Sequence, residues 1–217
     1  MEVSDNGQMS SEIKLNEIID LLWVHPEDAE WTQKTDTIPG TDFRQWMASD
    51  DIEIVGFTYH LLGDHRFRMN PEFSLDEYLE FVRRYYGRCF MENPDGEWSD
   101  SRYSAGWDLV GVLAFHWNNA EIPKSVMQGW KEWLAEIYKR GSDDVRKCIV
   151  TATLEHLLEQ GVFRQFFADW VKDPVLRKAY EEALEWYQGG GRTPLGKSPS
   201  VQPLVRSEFK KSRFRKR

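Results

Sequence analysis

Cysteine is scarce. Two residues, Cys89 and Cys148, in a chain of 217 are too few for the disulfide framework of a small secreted domain. Long apolar runs are missing too. No stretch approaches the roughly 18 apolar residues of a membrane span, so no membrane insertion is expected. The opening MEVSDNGQMSSE lacks the basic and apolar regions of a secretory signal, and the cytoplasm is the expected location. Gly-x-Ser-x-Gly, Cys-x-x-Cys and His-x-x-x-His are all absent. Both cysteines fall on apolar faces, where a thiol behaves as an inert small hydrophobe. His60 and His65 are five apart, which does not align two imidazoles on one helix face. His25, His116 and His156 stand alone. No metal, no cofactor and no catalytic residue is therefore assigned. Gly189-Gly190-Gly191 follows a predicted helix instead of a strand, so it reads as a cap and linker and not as a phosphate loop.

Charge and aromatics are plentiful. The formal net charge is −8, but it is unevenly placed. Nine of the 28 Lys and Arg residues and one of the 36 acids lie in 189–217, which gives that segment +8 and leaves residues 1–188 at −16. A body at −16 repels nucleic acid and attracts a basic protein. The tail does the reverse and can hold nucleic acid or an acidic partner.

Helix signals recur along the chain. Ile13, Leu15, Ile18, Ile19, Leu22 and Trp23 predict a helix over 11–24, ended by His25-Pro26. Residues 26–41 read as loop. A short helix carries Phe43 and Trp46, and Asp50-Asp51 starts another that ends at Leu62. Ser74-x-x-Glu77 is a capping box. Helices are expected over about 75–89, 101–118 and 124–140, the last closed by Gly141 in a left-handed cap, and from a Ser142-Asp143-Asp144 cap to Gly161, then a short one with Phe163, Phe166, Phe167 and Trp170. Asp173-Pro174 opens a last one to about Tyr187. The stripe Tyr103, Trp107, Val110, Ala114 and Trp117 reads as core, as do Trp130 and Trp133. The reading is an all-α bundle of seven to nine helices over 11–188, with consecutive pairs that suit helical-repeat-like packing. Residues 1–10 and the basic tail 189–217 have too little apolar content to fold and are expected to be disordered.

The segments Tyr103-Ser-Ala-Gly106-Trp107-Asp108, Gly129-Trp130-Lys-Glu-Trp133-Leu134, Cys148-Ile-Val-Thr-Ala-Thr-Leu154-Glu155-His156-Leu157 and Phe166-Phe167-Ala-Asp-Trp170 resemble small all-helical bacterial proteins of unassigned function. Some of these are similar in character to immunity proteins that neutralise a toxin. The resemblance implies helix and a bacterial cytosol, and supplies no activity.

Three functional expectations follow. The first is a protein-binding inhibitor of immunity type, whose acidic surface blocks a basic partner such as a toxin or nuclease. Its contact residues are the acidic loop Glu92, Asp95, Glu97, Trp98 and Asp100, with Trp98 as anchor, and a second patch of Asp50, Asp51 and Glu53. Trp98 folding back to pack on the following helix as a staple is the competing reading. The second is an enzyme with a helical active site around Asp108, Glu155 and His156. The third is an adaptor tethered through Lys210, Lys211, Arg213, Arg215, Lys216 and Arg217.

Overall fold

The helix punctuation read from the sequence is realised almost segment by segment in the computed structural model, which describes residues 36–63, 67–70 and 73–188. The expected helix over 11–24, residues 1–10 and the tail 189–217 lie outside the described residues. Eight helices carry nearly all of the regular structure described, an all-α fold. Contacts group the described residues into two compact units, one within 36–85 together with Gly96–Ser99, and one of Tyr86–Asp95 together with 100–188.

In the first unit, β1 (Asp36–Pro39) and β2 (Phe67–Asn70) pair in parallel, Asp36 opposite Phe67 through Pro39 opposite Asn70. Between them run α1 (Gly40–Met47) and α2 (Ile52–Leu62). The strands correct the sequence reading, which gave residues 26–41 as loop. At four residues each, DTIP and FRMN show no alternation long enough to register. The ambiguous segment after Ser49 is helical. The Asp51 side chain caps it, accepting the Glu53 N–H at 2.9 Å, as an N-cap carboxylate should. Ile38, Phe43, Trp46, Phe57, Leu61 and Trp98 form the core of this unit.

α3 (Leu75–Glu92) begins at the expected capping box. The Glu77 N–H donates to Ser74 Oγ at 3.2 Å, and the Ser74 N–H donates to Glu77 Oε2 at 3.0 Å. Glu77 also receives a bidentate guanidinium. Arg44 Nε is 2.9 Å from Oε1 and its Nη2 is 3.3 Å from Oε2. Arg44 first, and the Ser74 N–H second, hold the Glu77 carboxyl down at about 2. A carboxylate whose pKa is lower folded than unfolded contributes stability above the ordinary value of 4.5, and this is lost as pH falls from there to about 2. The urea midpoint of the native chain should therefore drop more steeply over that window than that of Glu77→Gln. Equal slopes would contradict the assignment.

The second unit holds the end of α3, then α4 (Arg102–Asn118), α5 (Lys124–Arg140) and α6 (143–158). It continues through α7 (Gly161–Phe167), which runs into a 3₁₀ turn Ala168–Lys172, and α8 (Pro174–Gln188). Ser101 and Ser142 cap α4 and α6 through the N–H groups of Ser104 and Val145. The Asp173 carboxylate caps α8 through Val175 and Leu176. Gly141 ends α5 with φ −71° and ψ 156°, so the expected left-handed cap is not used. Its glycine is needed for space, because a Cβ there would lie 2.5 Å from Val145 Cγ1. Gly161 begins α7 instead of closing α6.

α6 is central, with Val145, Cys148, Ile149, Val150, Ala152, Leu154, Leu157 and Leu158 all buried, as its all-round apolar sequence predicts. Its middle, Ile149–Leu154, is π-helical, and both α4 and α8 pack on that stretch. α4 approaches it over Gly106. The Thr153 hydroxyl donates to the Gly106 carbonyl at 3.1 Å, and the Cys148 thiol sits 3.3 Å from the Arg102 carbonyl. Burial pushes that thiol up to about 12. A Cβ on Gly106 would lie 2.8 Å from the Ala152 Cβ and 3.2 Å from Thr153 Oγ1. Gly106→Ala should cost about 1–3 kcal/mol by overpacking, read from chemical denaturation. An unchanged midpoint would mean the two helices are not in close contact there.

Candidate protein-contact site

α4 is apolar on every side, so its sequence alone does not say which face turns inward. Packing on the π-helical stretch decides it. Ala105, Gly106, Leu109 and Leu113 are buried, and this leaves Tyr103, Trp107 and Phe115 outside at 45%, 51% and 54% exposure. They stand at four-residue steps with Gly111 between the last two, so they form one row along the helix. A Cβ on Gly111 would meet nothing within 4 Å. Glycine inside a helix costs about 0.5–1 kcal/mol relative to alanine. Nothing in the fold of this unit requires it, and it leaves a notch between Trp107 and Phe115. Trp117 is 37% exposed and lies against Phe163 and Phe166 of α7, with ring centroids 5.2 and 5.3 Å away. The expected core placement of Tyr103, Trp107 and Trp117 is thus corrected. Trp130 is core as expected, and its indole N–H donates to His116 Nδ1 at 3.0 Å.

Trp107 rests on His156 of α6, rings stacked at 3.8 Å and 27°. The π-helical stretch, with its wider i→i+5 turns, sets the phase of the residues after it and brings His156 under Trp107. His156 Nδ1 is 3.3 Å from Glu159 Oε1. Asp108 follows Trp107 on α4. Arg102, the one Lys or Arg of that helix, gives its Nε to the Phe90 carbonyl at 2.6 Å.

Comparison with family models, curated proteins and solved structures finds no match.

The acidic loop departs from expectation at its centre. Trp98 is buried at 8% exposure, its ring edge-on to Phe57 at 5.2 Å and tilted against His60 at 6.2 Å. A side chain locked in this core cannot anchor a partner; it is buried as the competing reading has it, but on Phe57 and His60 of α2 and not on the helix that follows it. Glu53 is not a free surface charge either. Its carboxylate accepts the Trp98 N–H at 2.8 Å, the Ser99 N–H at 3.3 Å and the Ser99 hydroxyl. Glu92 is the last residue of α3 and pairs with Arg88 at 2.7 Å, so the loop's field does meet a cation. Asp95, Glu97, Asp50 and Asp51 are exposed and Asp100 is half-buried. Lys210, Lys211, Arg213, Arg215, Lys216 and Arg217 lie outside the described residues.

The trio Asp108, Glu155 and His156 is placed as one half-buried and two buried side chains. The two clefts described, of about 420 and 170 Å³, are lined by other residues. The larger contains Lys131, whose ammonium is 2.6 Å from Asp169 and 2.7 Å from the Phe166 carbonyl, and 4.7 Å from the Phe166 ring centre. These partners account for its burial as a structural cation. Among the described residues no group of three or more His, Cys, Asp or Glu is arranged to hold a metal ion, and no helix is long and apolar enough to cross a membrane.

Proposed function

We propose that the chain is a protein-binding module, an inhibitor of immunity type, that meets a basic partner through the outer face of α4. The observation that carries this reading is the row Tyr103, Trp107 and Phe115, three large aromatics each about half exposed on one helix. Aromatic side chains held on a rigid element are the commonest energetic anchors of protein interfaces. Trp107 is held by its stack on His156, so little side-chain freedom is lost when a partner covers it. The acidic charge of residues 1–188 supplies the second half of the reading. It raises the encounter rate with a basic protein and opposes nucleic acid.

The test uses the triple variant Tyr103→Ala/Trp107→Ala/Phe115→Ala. A protein retained from the producing cell's lysate by the native chain and lost by the variant is purified and its kinetics measured. The triple variant should raise the dissociation rate at least tenfold, about 1.4 kcal/mol or more. Raising NaCl from 150 to 500 mM should slow association with the native chain. A partner that binds both forms alike, or turnover of a small molecule by the purified chain, would overturn the proposal.

A further inference from the structure

We infer that His156 is a proton switch beneath the contact row: its neutral ring leaves Trp107 open to a basic side chain of the partner on its outer face, and its protonation drives that side chain off. The inference rests on the contact face proposed above and assigns its regulation. One face of the Trp107 indole is covered by His156, with ring centroids 3.8 Å apart and planes 27° from parallel. Trp107 is nevertheless 51% exposed, so its other face is turned outward. The open space over Gly111, one turn along the helix, leaves room for a long side chain to lie across it. The imidazole Nδ1 is 3.3 Å from Glu159 Oε1. A carboxylate oxygen only accepts, so Nδ1 carries the hydrogen. Donating it to a carboxylate makes the neutral ring more basic and electron-rich. The indole face above such a ring attracts a guanidinium or ammonium through its quadrupole. Aromatics alone would take apolar side chains equally well; the carboxylate-backed stack is what selects a cation.

A proton on His156 reverses the local sign. Its positive charge lies 3.8 Å below the Trp107 ring and at most about 10 Å from a cation bound above it, a distance that salt screens only in part. The imidazolium also engages the indole quadrupole and the Glu159 carboxylate from the inside, so both attractions for the partner's side chain are met before it arrives. The turn Glu155–Leu158 packs against α4, α7 and α8. α4 brings Asp108. α7 brings Arg164, whose Nη1 donates to the Leu158 and Glu159 carbonyls at 2.6 and 3.0 Å. α8 brings Tyr180, whose hydroxyl donates to the Arg164 carbonyl at 3.1 Å. α6 itself adds Glu155 and Glu159. Of these residue types only histidine ordinarily changes charge between pH 5 and 8. His156 is 8% exposed, so its added charge acts on the indole and carboxylate around it more than on water.

The experiment uses the full chain and a peptide of four Gly-Arg repeats as the cationic probe, with four Gly-citrulline repeats as its uncharged isostere, at constant ionic strength. Binding is read from the indole N–H resonance of Trp107, identified by its loss in Trp107→Phe. The expected result is roughly tenfold or tighter preference for the arginine peptide at pH 7.5. That affinity should fall roughly threefold or more at pH 5.5, and His156→Gln should abolish the fall while keeping the preference. In the native chain the Trp107 indole and His156 imidazole resonances should move together over one pH range, a readout that does not depend on the variant folding. Equal binding of the two peptides, a fall at pH 5.5 that persists in His156→Gln, or Trp107 and His156 resonances that move at different pH would overturn the inference. The two proposals fail separately. A partner that needs the row but binds alike at pH 7.5 and 5.5 removes the switch alone. A peptide response as expected, with no partner dependent on the row, removes the inhibitor reading and keeps the switch as a property of a cation-binding face.

Discussion

Trp98→Ala is expected to lower the unfolding free energy by about 3–5 kcal/mol, the usual cost of removing a buried tryptophan. The size follows from what the ring touches. It closes the core of Ile38, Phe43, Trp46, Phe57 and Leu61, edge-on to Phe57. Its backbone carbonyl accepts from or faces His60 Nε2 at 2.8 Å, and its N–H is held by Glu53. α2 receives it only because residue 56 is glycine. A Cβ there would lie 2.5 Å from the Trp98 carbonyl oxygen and 2.8 Å from Ser99 Cα, both backbone atoms that cannot rotate away. Gly56→Val should therefore also destabilise, by about 1–3 kcal/mol or more through overpacking, although it deletes nothing. Urea unfolding of the two variants checks both figures. A loss under about 1 kcal/mol for Trp98→Ala would mean the tryptophan is not a core residue, and the interface-anchor reading of the acidic loop would return.

Trp130→Ala should cost a similar amount, about 3–5 kcal/mol, and a milder variant separates its two contributions. Trp130 is 1% exposed and lies edge-on to Trp133 at 5.4 Å. Its indole nitrogen can only donate, so His116 Nδ1 must be the acceptor, and the imidazole is held as the Nε2–H form. Trp130→Phe keeps most of the ring and removes that donor from a buried acceptor, which should cost about 1–3 kcal/mol. The remainder of the alanine effect is packing. A Trp130→Phe variant as stable as the native chain would show that the indole–imidazole hydrogen bond contributes nothing.

Helices were legible wherever capping and periodicity coincided. Ser74 with Glu77, Ser101, Ser142, and Asp173 before Pro174 each start a helix as read, because a cap is a local event that tertiary packing does not need to supply. Features set by distant contacts were not legible. β1 and β2 are four residues each and exist through pairing across 27 intervening positions, 40–66, which no local pattern announces. The π-helical stretch over Ile149–Leu154 leaves no mark in an all-apolar sequence. Trp98 and Trp107 exchanged places for one reason. The loop tryptophan follows an acidic turn and looks exposed, yet Gly56 opens a slot for it. The helical tryptophan has apolar neighbours on every side and looks buried, yet Gly106 commits the opposite face of α4 to the core. The signals that could have found the site were the two glycines of α4, Gly106 where the helix packs closely and Gly111 where the packing leaves space.

The claim that the outer face of α4 is the protein-contact surface is tested most directly by photo-cross-linking in the producing cell, with p-benzoylphenylalanine in place of Phe115. The control carries it in place of Trp186, which is more exposed, at 64%, but lies on α8 outside the row. The expected result is one adduct with a second, basic polypeptide from position 115 and none from position 186. No intermolecular adduct from position 115, or the same adducts from both positions, would contradict it.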